Sequence, residues 1–523
     1  MLNRPSFVIA LLLLASCAPR ASSAVVPVDP AAIARHVEIL ASDAYEGRAP
    51  GTAGEAKTVG YIVAAMQKSG LRPANGTSWF QDVPIVEVLP SSSAILTVEG
   101  ARGGAAFEWG EDVLLGNSRA VARARLDRSE IVFAGYGLTM PEQGWDDFAG
   151  ADLTGKTVVM LGGIPHALKD VATAATTAAK IAAVAKRGAA GALVILPSAV
   201  TDEQWTAQVA AARRRDLRLE GASSGPVIEG RLRHAAGDRL FAASGHDVAM
   251  LTAAAGRSGF RPIALGSRAT ATLDGAVRHF ASKNVVGVLP GARRPDEYVL
   301  FLAHWDHLGR CAPDGPDPIC NGAVDNASGV GGLIELARAF AAGKRPDRSI
   351  LFLATTAEEA GLMGGQYFVD HPVVPLAQIA GGLGQDTIAA GTPADVVVLG
   401  HGLSPQMDSL IAAAARAQKR KVIIDPANDD FFLRSDHYPF ARAGVPVLIA
   451  TSIFAPGSKA VTDKYLADTY HKPSDEYRPG MNFEAAATDI DLAHRVGLRL
   501  ANSRAWPRWK AGSEYAVARA RQR

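Results

Sequence analysis

The sequence predicts an α/β protein: a mixed, mainly parallel central sheet flanked by helices, with a smaller α/β domain inserted into it. Two observations lead there. Beyond Ser282, β-rich apolar runs alternate with helical segments: NVVGVLP, YVLFLAHWDH, a helix over Gly329 to Ala342, SILFLATTAEEA and ADVVVLG. Runs without polar alternation belong to strands covered on both faces, and helices between them imply right-handed crossovers in a parallel sheet. Between about Ser118 and Leu265 the texture changes to short runs such as IVFAGYGL and KTVVMLGG around an Ala-rich helix.

Taken in order, the chain begins with an export leader over residues 1–17. One Arg precedes an apolar run from Phe7 to Ala15, too short to span a bilayer permanently. The run ends Leu14-Ala15-Ser16-Cys17, which resembles the bacterial lipobox, with Cys17 as the lipidated residue. Ala18 follows it, which favours the outer membrane, facing periplasm or cell surface. Residues 18–30 read as a tether. Folded structure is expected from 31, where Ile33, Val37 and Leu40, then Val59, Ile62, Val63 and Met66, fall at helical spacing around the Gly-rich loop EGRAPGTAGE.

Residues 31–117 are read as the N-terminal part of the larger domain, 118–265 as the insertion, 266–510 as the catalytic part and 511–523 as a solvated basic tail. In the insertion, GKTVVML, a helix over Val171 to Gly188 and GAAGALVIL resemble, in that order, the protease-associated domain. Such a module would act as a lid or a dimerisation surface, so a homodimer is one expectation, or would be a passive insertion. With 54 basic and 52 acidic residues there is no electrostatic footprint for nucleic acid. Membrane contact is expected through the lipid anchor alone. In an exported chain, the spacing of Cys311 and Cys320 suits a disulfide closing the loop CAPDGPDPIC.

Histidines and carboxylates gather in HWDHLG, AVDNASG, AEEAG, the pair Gln385-Asp386 and YHKPSDE. Singly, each has an ordinary structural explanation: Asp325 lies before a helix, where Asp, Asn and Ser serve as caps. Together, two His and three carboxylates near strand ends form a nitrogen and oxygen set suited to zinc. Adjacent glutamates point in different directions, so one of Glu358 and Glu359 can bind metal while the other faces an attacking water.

In this order, HWDHLG, AVDNASGVGGLIELAR, AEEAGLMGG, SDHYPF and YHKPSDE resemble the co-catalytic dinuclear zinc exopeptidases, which include bacterial leucyl aminopeptidases, plasma glutamate carboxypeptidase and the transferrin-receptor ectodomain. The resemblance implies the zinc-peptidase fold, two Zn2+ ions and a peptide substrate. It makes His304 a ligand with Asp306 behind it, Asp325 the bridge, Glu358 the general base, Glu359 and His471 ligands of the second ion, and Asp386 a ligand of the first. The activity it implies is an aminopeptidase. A carboxypeptidase or dipeptidase, a non-catalytic binding module and a single-zinc cyclising acyltransferase are the alternatives on this scaffold. One departure is Phe431 and Phe432, where some members have a Tyr that donates to the oxyanion. His437, Tyr438 and Arg434 are the candidate replacements. His307 is left over as a residue beside the site rather than a ligand, and Ser328 is assigned to helix packing or capping.

Overall fold

Two large β-sheets, beside a two-stranded one of Thr139–Met140 and Trp145–Asp146, organise the computed structural model, which describes residues 25–522 apart from 90–92, 170–175, 222–224 and 313–314. Cys17 and the leader lie outside the described residues. The larger sheet runs Asp216–Leu219, Phe80–Leu89, Ala276–Leu289, Arg348–Thr355, Arg294–His304, Ile379–Gly384, Val447–Thr451, Val396–Leu399, Val422–Ile423. Its central strands, Arg348–Thr355 through Val447–Thr451, are parallel neighbours. Antiparallel pairs flank them.

The continuous apolar runs are explained by burial on both faces. Val299, Phe301 and Ala303 join one core, with Ile350, Phe352 and Ala354, beneath the helices Pro30–Leu40, Gly329–Ala342 and Glu484–Asn502. Their alternates Leu300, Leu302, Leu351 and Leu353 join a second core on the opposite face, with Phe368 and Phe440. Side chains alternate along a strand, so a strand between two helical layers needs apolar residues at every position.

The smaller sheet runs Gly103–Glu108, Ile95–Gly100, Ile263–Asp274, Arg123–Phe133, Thr157–Leu161, Gly191–Ile195, Ile228–Leu232, Val113–Gly116, with its own core. This changes the expected boundaries of 118 and 265. Strands from 95 to 116 belong to the smaller sheet because they pair there with Ile263–Asp274 and Ile228–Leu232. Within the insertion, Asp216–Leu219 pairs instead with Phe80–Leu89 of the larger sheet. The described part of the expected Val171 to Gly188 helix is Thr177–Ala185, capped by the Thr176 side chain. The C-terminal segment is not a solvated tail: Glu514–Ala520 is a helix, and buried Arg519 donates to the carbonyls of Leu376 at 2.9 Å and Ile379 at 2.7 Å. Among the described residues, no helix is long and apolar enough to cross a membrane.

Candidate metal centre

The parallel register brings the chemistry to one edge. His304 pairs with Thr355, and Leu302 with Gly384, so three strands end nearly level. His304 closes the first, Glu358 and Glu359 follow the second, and Asp386 follows the third. Ligands of such sheets gather beyond these carboxyl ends.

Asp306 reaches across to the turn after the second strand. Its Oδ1 accepts the Glu358 amide at 3.1 Å and its Oδ2 the Glu359 amide at 3.4 Å. His304 Nδ1 lies 3.2 Å from the Asp306 carbonyl and 3.8 Å from its carboxylate. The Asp306 carboxylate therefore sets the glutamate turn, while its carbonyl is the nearer partner of the imidazole. Burial raises the Asp306 pKa to about 8, against the pull of His304.

Asp325 lies in the irregular turn Ala323–Ser328 that opens the helix Gly329–Ala342. Gly322 enters that turn with φ 57°, and a Cβ there would lie 2.1 Å from the Asp325 carbonyl oxygen, so only glycine fits. Buried Asp475 holds the turn from outside, accepting the amides of Val324 at 3.0 Å and Asp325 at 3.1 Å and the Tyr465 hydroxyl at 3.1 Å. The Asn326 side chain ties the turn to the third strand, donating to the Gln385 carbonyl at 3.1 Å and accepting from Thr387 N at 3.2 Å. Ser328 donates back to the Val324 carbonyl at 2.7 Å and caps no amide of the following helix, so it packs the turn rather than capping the helix.

The donor atoms form two groups that share Asp325. Oδ1 faces His304 Nε2 at 3.3 Å, and Asp386 Oδ1 lies 3.4 Å from that same nitrogen. Oδ2 faces His471 Nε2 at 3.2 Å, and Glu359 Oε2 lies 3.0 Å from that nitrogen. A tetrahedral zinc with ligand distances of 2.0–2.1 Å sets its donors about 3.3 Å apart, close to each of these four spacings. His304, Asp325 and Asp386 form one potential metal cluster, and His307, Asp325 and Glu359 another.

Charge supports the same fit. Burial pushes the Glu358 carboxyl well above its usual range, and Asp386 and Glu359 add to the rise while His304 opposes it. Burial would also raise Glu359, but His307 and His471 outweigh it and hold that carboxylate far below. Burial disfavours the His471 imidazolium, yet Asp325 and Glu359 lift its pKa to about 9. The clustered carboxylates thus favour positive charge at this point, which a divalent cation supplies when bound.

The residues that sequence reasoning left aside divide clearly. His307 is buried with Nδ1 2.6 Å from Glu359 Oε1, so it either orients that carboxylate or joins the second cluster. His437 is fully buried edge-on to Phe432, away from the cavity, which removes it as an oxyanion donor. Trp305 is core, donating to the Lys283 carbonyl at 2.8 Å. The disulfide Cys311–Cys320 closes its loop beside the site. A cavity of about 880 Å³ opens over the cluster, walled by Phe431, Ile453, Phe454 and Leu466 and carrying Arg434, Tyr438 and Arg442. Tyr470 also lines it, its ring stacked on His471 at 3.8 Å between centroids. Sequence reasoning missed Tyr470 and Asp475, although both stand in the quoted motif YHKPSDE.

Residues 284–490 match the family described as peptidase family M28. The chain is 33% identical over 171 residues to a "Probable zinc metalloprotease" of Pyricularia oryzae, covering 29% of this chain and 33% of that protein. It is 32% identical over 111 residues to "Glutamate carboxypeptidase 2 homolog" of Caenorhabditis briggsae, covering 20% of this chain and 13% of that one. The matched stretches thus span about a third or less of these relatives. Among solved structures, the aminopeptidase from Aneurinibacillus sp. strain AM-1 shares the fold at TM-score 0.55 and 19% identity, covering 92% of this chain and 95% of that one. These matches fall on the part of the chain that carries the cluster: residues 284–490, with His304, Asp325, Glu358, Glu359, Asp386 and His471 among them, are similar to peptidase family M28.

Proposed function

We propose that this protein is a zinc exopeptidase that holds two zinc ions bridged by Asp325 and removes N-terminal residues from peptides. The carrying observation is the division of the Asp325 carboxylate, Oδ1 toward His304 and Oδ2 toward His471. His304 and Asp386 would complete one site, and Glu359 and His471 the other. Zinc, when bound, lowers the pKa of water and polarises the scissile carbonyl.

The chain's own groups do the rest. Glu358 Oε2, 3.9 Å from His304 Nε2, accepts the proton of the attacking water and passes it to the leaving amine nitrogen. Asp306 holds the amides of both glutamates, so base and ligand keep separate directions. The Tyr470 hydroxyl donates to the carbonyl oxygen as it gains charge. Tyr465 is committed to Asp475, and the two phenylalanines carry no donor. The apolar cavity walls suit an apolar N-terminal side chain, and the carboxylate cluster attracts the α-ammonium group.

A second reading is favoured by the exposed guanidiniums of Arg434 and Arg442 on the cavity lining, which lie over the rings of Phe431 and Tyr438. They would receive a substrate carboxylate, as a carboxypeptidase or dipeptidase requires. We further propose that the leader anchors the enzyme to the outer membrane through Cys17.

The test compares peptides with free and blocked ends, with and without chelator, in wild type and Glu358→Gln. Chelator-sensitive release of N-terminal residues, about two zinc per chain, and a zinc-loaded but inactive variant are expected, with a loss of about 10²–10⁴-fold. Cleavage that requires a free carboxylate and tolerates a blocked amine would replace the aminopeptidase reading with the second one.

A further inference from the structure

The EGRAPGTAGE loop reads from sequence as a Gly-rich connector, and the proposed reaction makes no use of it. Its conformation is not that of a simple connector. Glu46, Gly47 and Arg48 are consecutive left-handed residues, with φ of 51°, 65° and 55°. For residues with a Cβ that conformation is costly and persists only where the surroundings enforce it. The Gly47 carbonyl accepts the Gly309 amide at 3.1 Å, and a Cβ on Gly47 would lie 2.3 Å from the Cys320 carbonyl oxygen. The turn is pressed against the backbone at both ends of the disulfide loop.

Arg48 is fully buried, and each of its hydrogen bonds among the described residues goes to a backbone carbonyl. Nε donates to Trp305 at 2.9 Å, Nη1 to Leu40 at 2.8 Å and to Asn321 at 2.6 Å, and Nη2 to Gly322 at 2.8 Å. Trp305 stands between His304 and Asp306, while Asn321 and Gly322 lead into the turn that carries Asp325. One rigid guanidinium fork, 257 residues before Trp305 in the chain, thus joins two ligand-bearing segments.

We infer that Arg48 is a positioning residue of the metal centre: by clamping these carbonyls it sets His304 against Asp325, and so determines how tightly the cluster holds zinc. This rests on the reading of the cluster as a zinc site. Burial lowers the Arg48 pKa to about 10 against the attraction of Asp475, Asp325, Asp306 and Glu359, so the group stays charged at neutral pH. Charge and geometry therefore make opposite predictions. Removing a cation near the cluster favours zinc by Coulomb's law, whereas losing the clamp disfavours it.

The test measures zinc affinity on the full chain by chelator competition, with melting of the zinc-free protein and kcat and KM of the loaded enzyme beside it. In Arg48→Met, zinc affinity should fall about 10- to 100-fold, the size typical of lost support around metal ligands. Activity per zinc-loaded molecule should fall mainly in kcat. Arg48→Lys should recover only part, because one ammonium cannot span four carbonyls in a fixed fork. A folded Arg48→Met that binds zinc as tightly as wild type, or more tightly, overturns the inference even if its melting temperature drops. Should Arg48→Met not fold, Arg48→Lys decides: weakened zinc supports the clamp and wild-type affinity overturns it. A wild-type chain that binds no zinc would instead sink the underlying zinc reading, and the inference with it.

Discussion

At the residue scale, adjacent glutamates face different partners because successive side chains leave the backbone in different directions. Glu358 turns toward His304, while Glu359 meets His307 and His471. That division is legible in the sequence, because two adjacent acids in AEEAG cannot share one direction. The second His of HWDHLG and the phenol of YHKPSDE were equally visible, but nothing in their spacing tells a core ring from one lining the cavity. Tyr470→Phe tests the phenol: zinc content should be unchanged and kcat should fall about 10²-fold, the usual effect of losing one oxyanion donor. Full kcat in that variant would leave Tyr438 or Arg434 as the donor.

At the element scale, the site depends on turns that strand ends hold in register. The helix Gly329–Ala342 and the strands before and after it follow directly from apolar periodicity. The support of the Asp325 turn does not, because Asp475 arrives from 150 residues away along the chain. Asp475→Asn keeps the shape but offers only one accepting oxygen to the three donors it now serves. Zinc affinity should drop about tenfold or more, read by chelator competition, with melting of the zinc-free chain changed far less. Equal affinity in the variant would assign Asp475 to folding alone.

At the scale of the whole molecule, buried neutral histidines make stability depend on pH. Burial lowers His437 and His494 from 6.5 to about 4, and His494 packs edge-on against Phe340. Below pH 6.5 the unfolded chain binds protons that the folded chain refuses. The stability contributed by the neutral rings is therefore complete above that pH and is lost as pH falls toward about 4. Melting of the zinc-free protein should decline across that window, and His494→Leu should flatten part of the decline. A decline as steep in the variant as in wild type would assign the acid limb to other groups.

Periodicity and residue chemistry are local properties, so the sequence by itself determined the alternating strands and helices, the paired acids and the five motifs that carry histidines and carboxylates. Pairing between distant segments is a property of the folded chain. Only the tertiary structure decided that strands from 95 to 116 join the smaller sheet, that Arg519 is an anchor, and that Arg48 and Asp475 meet the backbone that leads into Asp325. Each of these depends on backbone groups meeting across more than a hundred residues or on burial that no local pattern encodes.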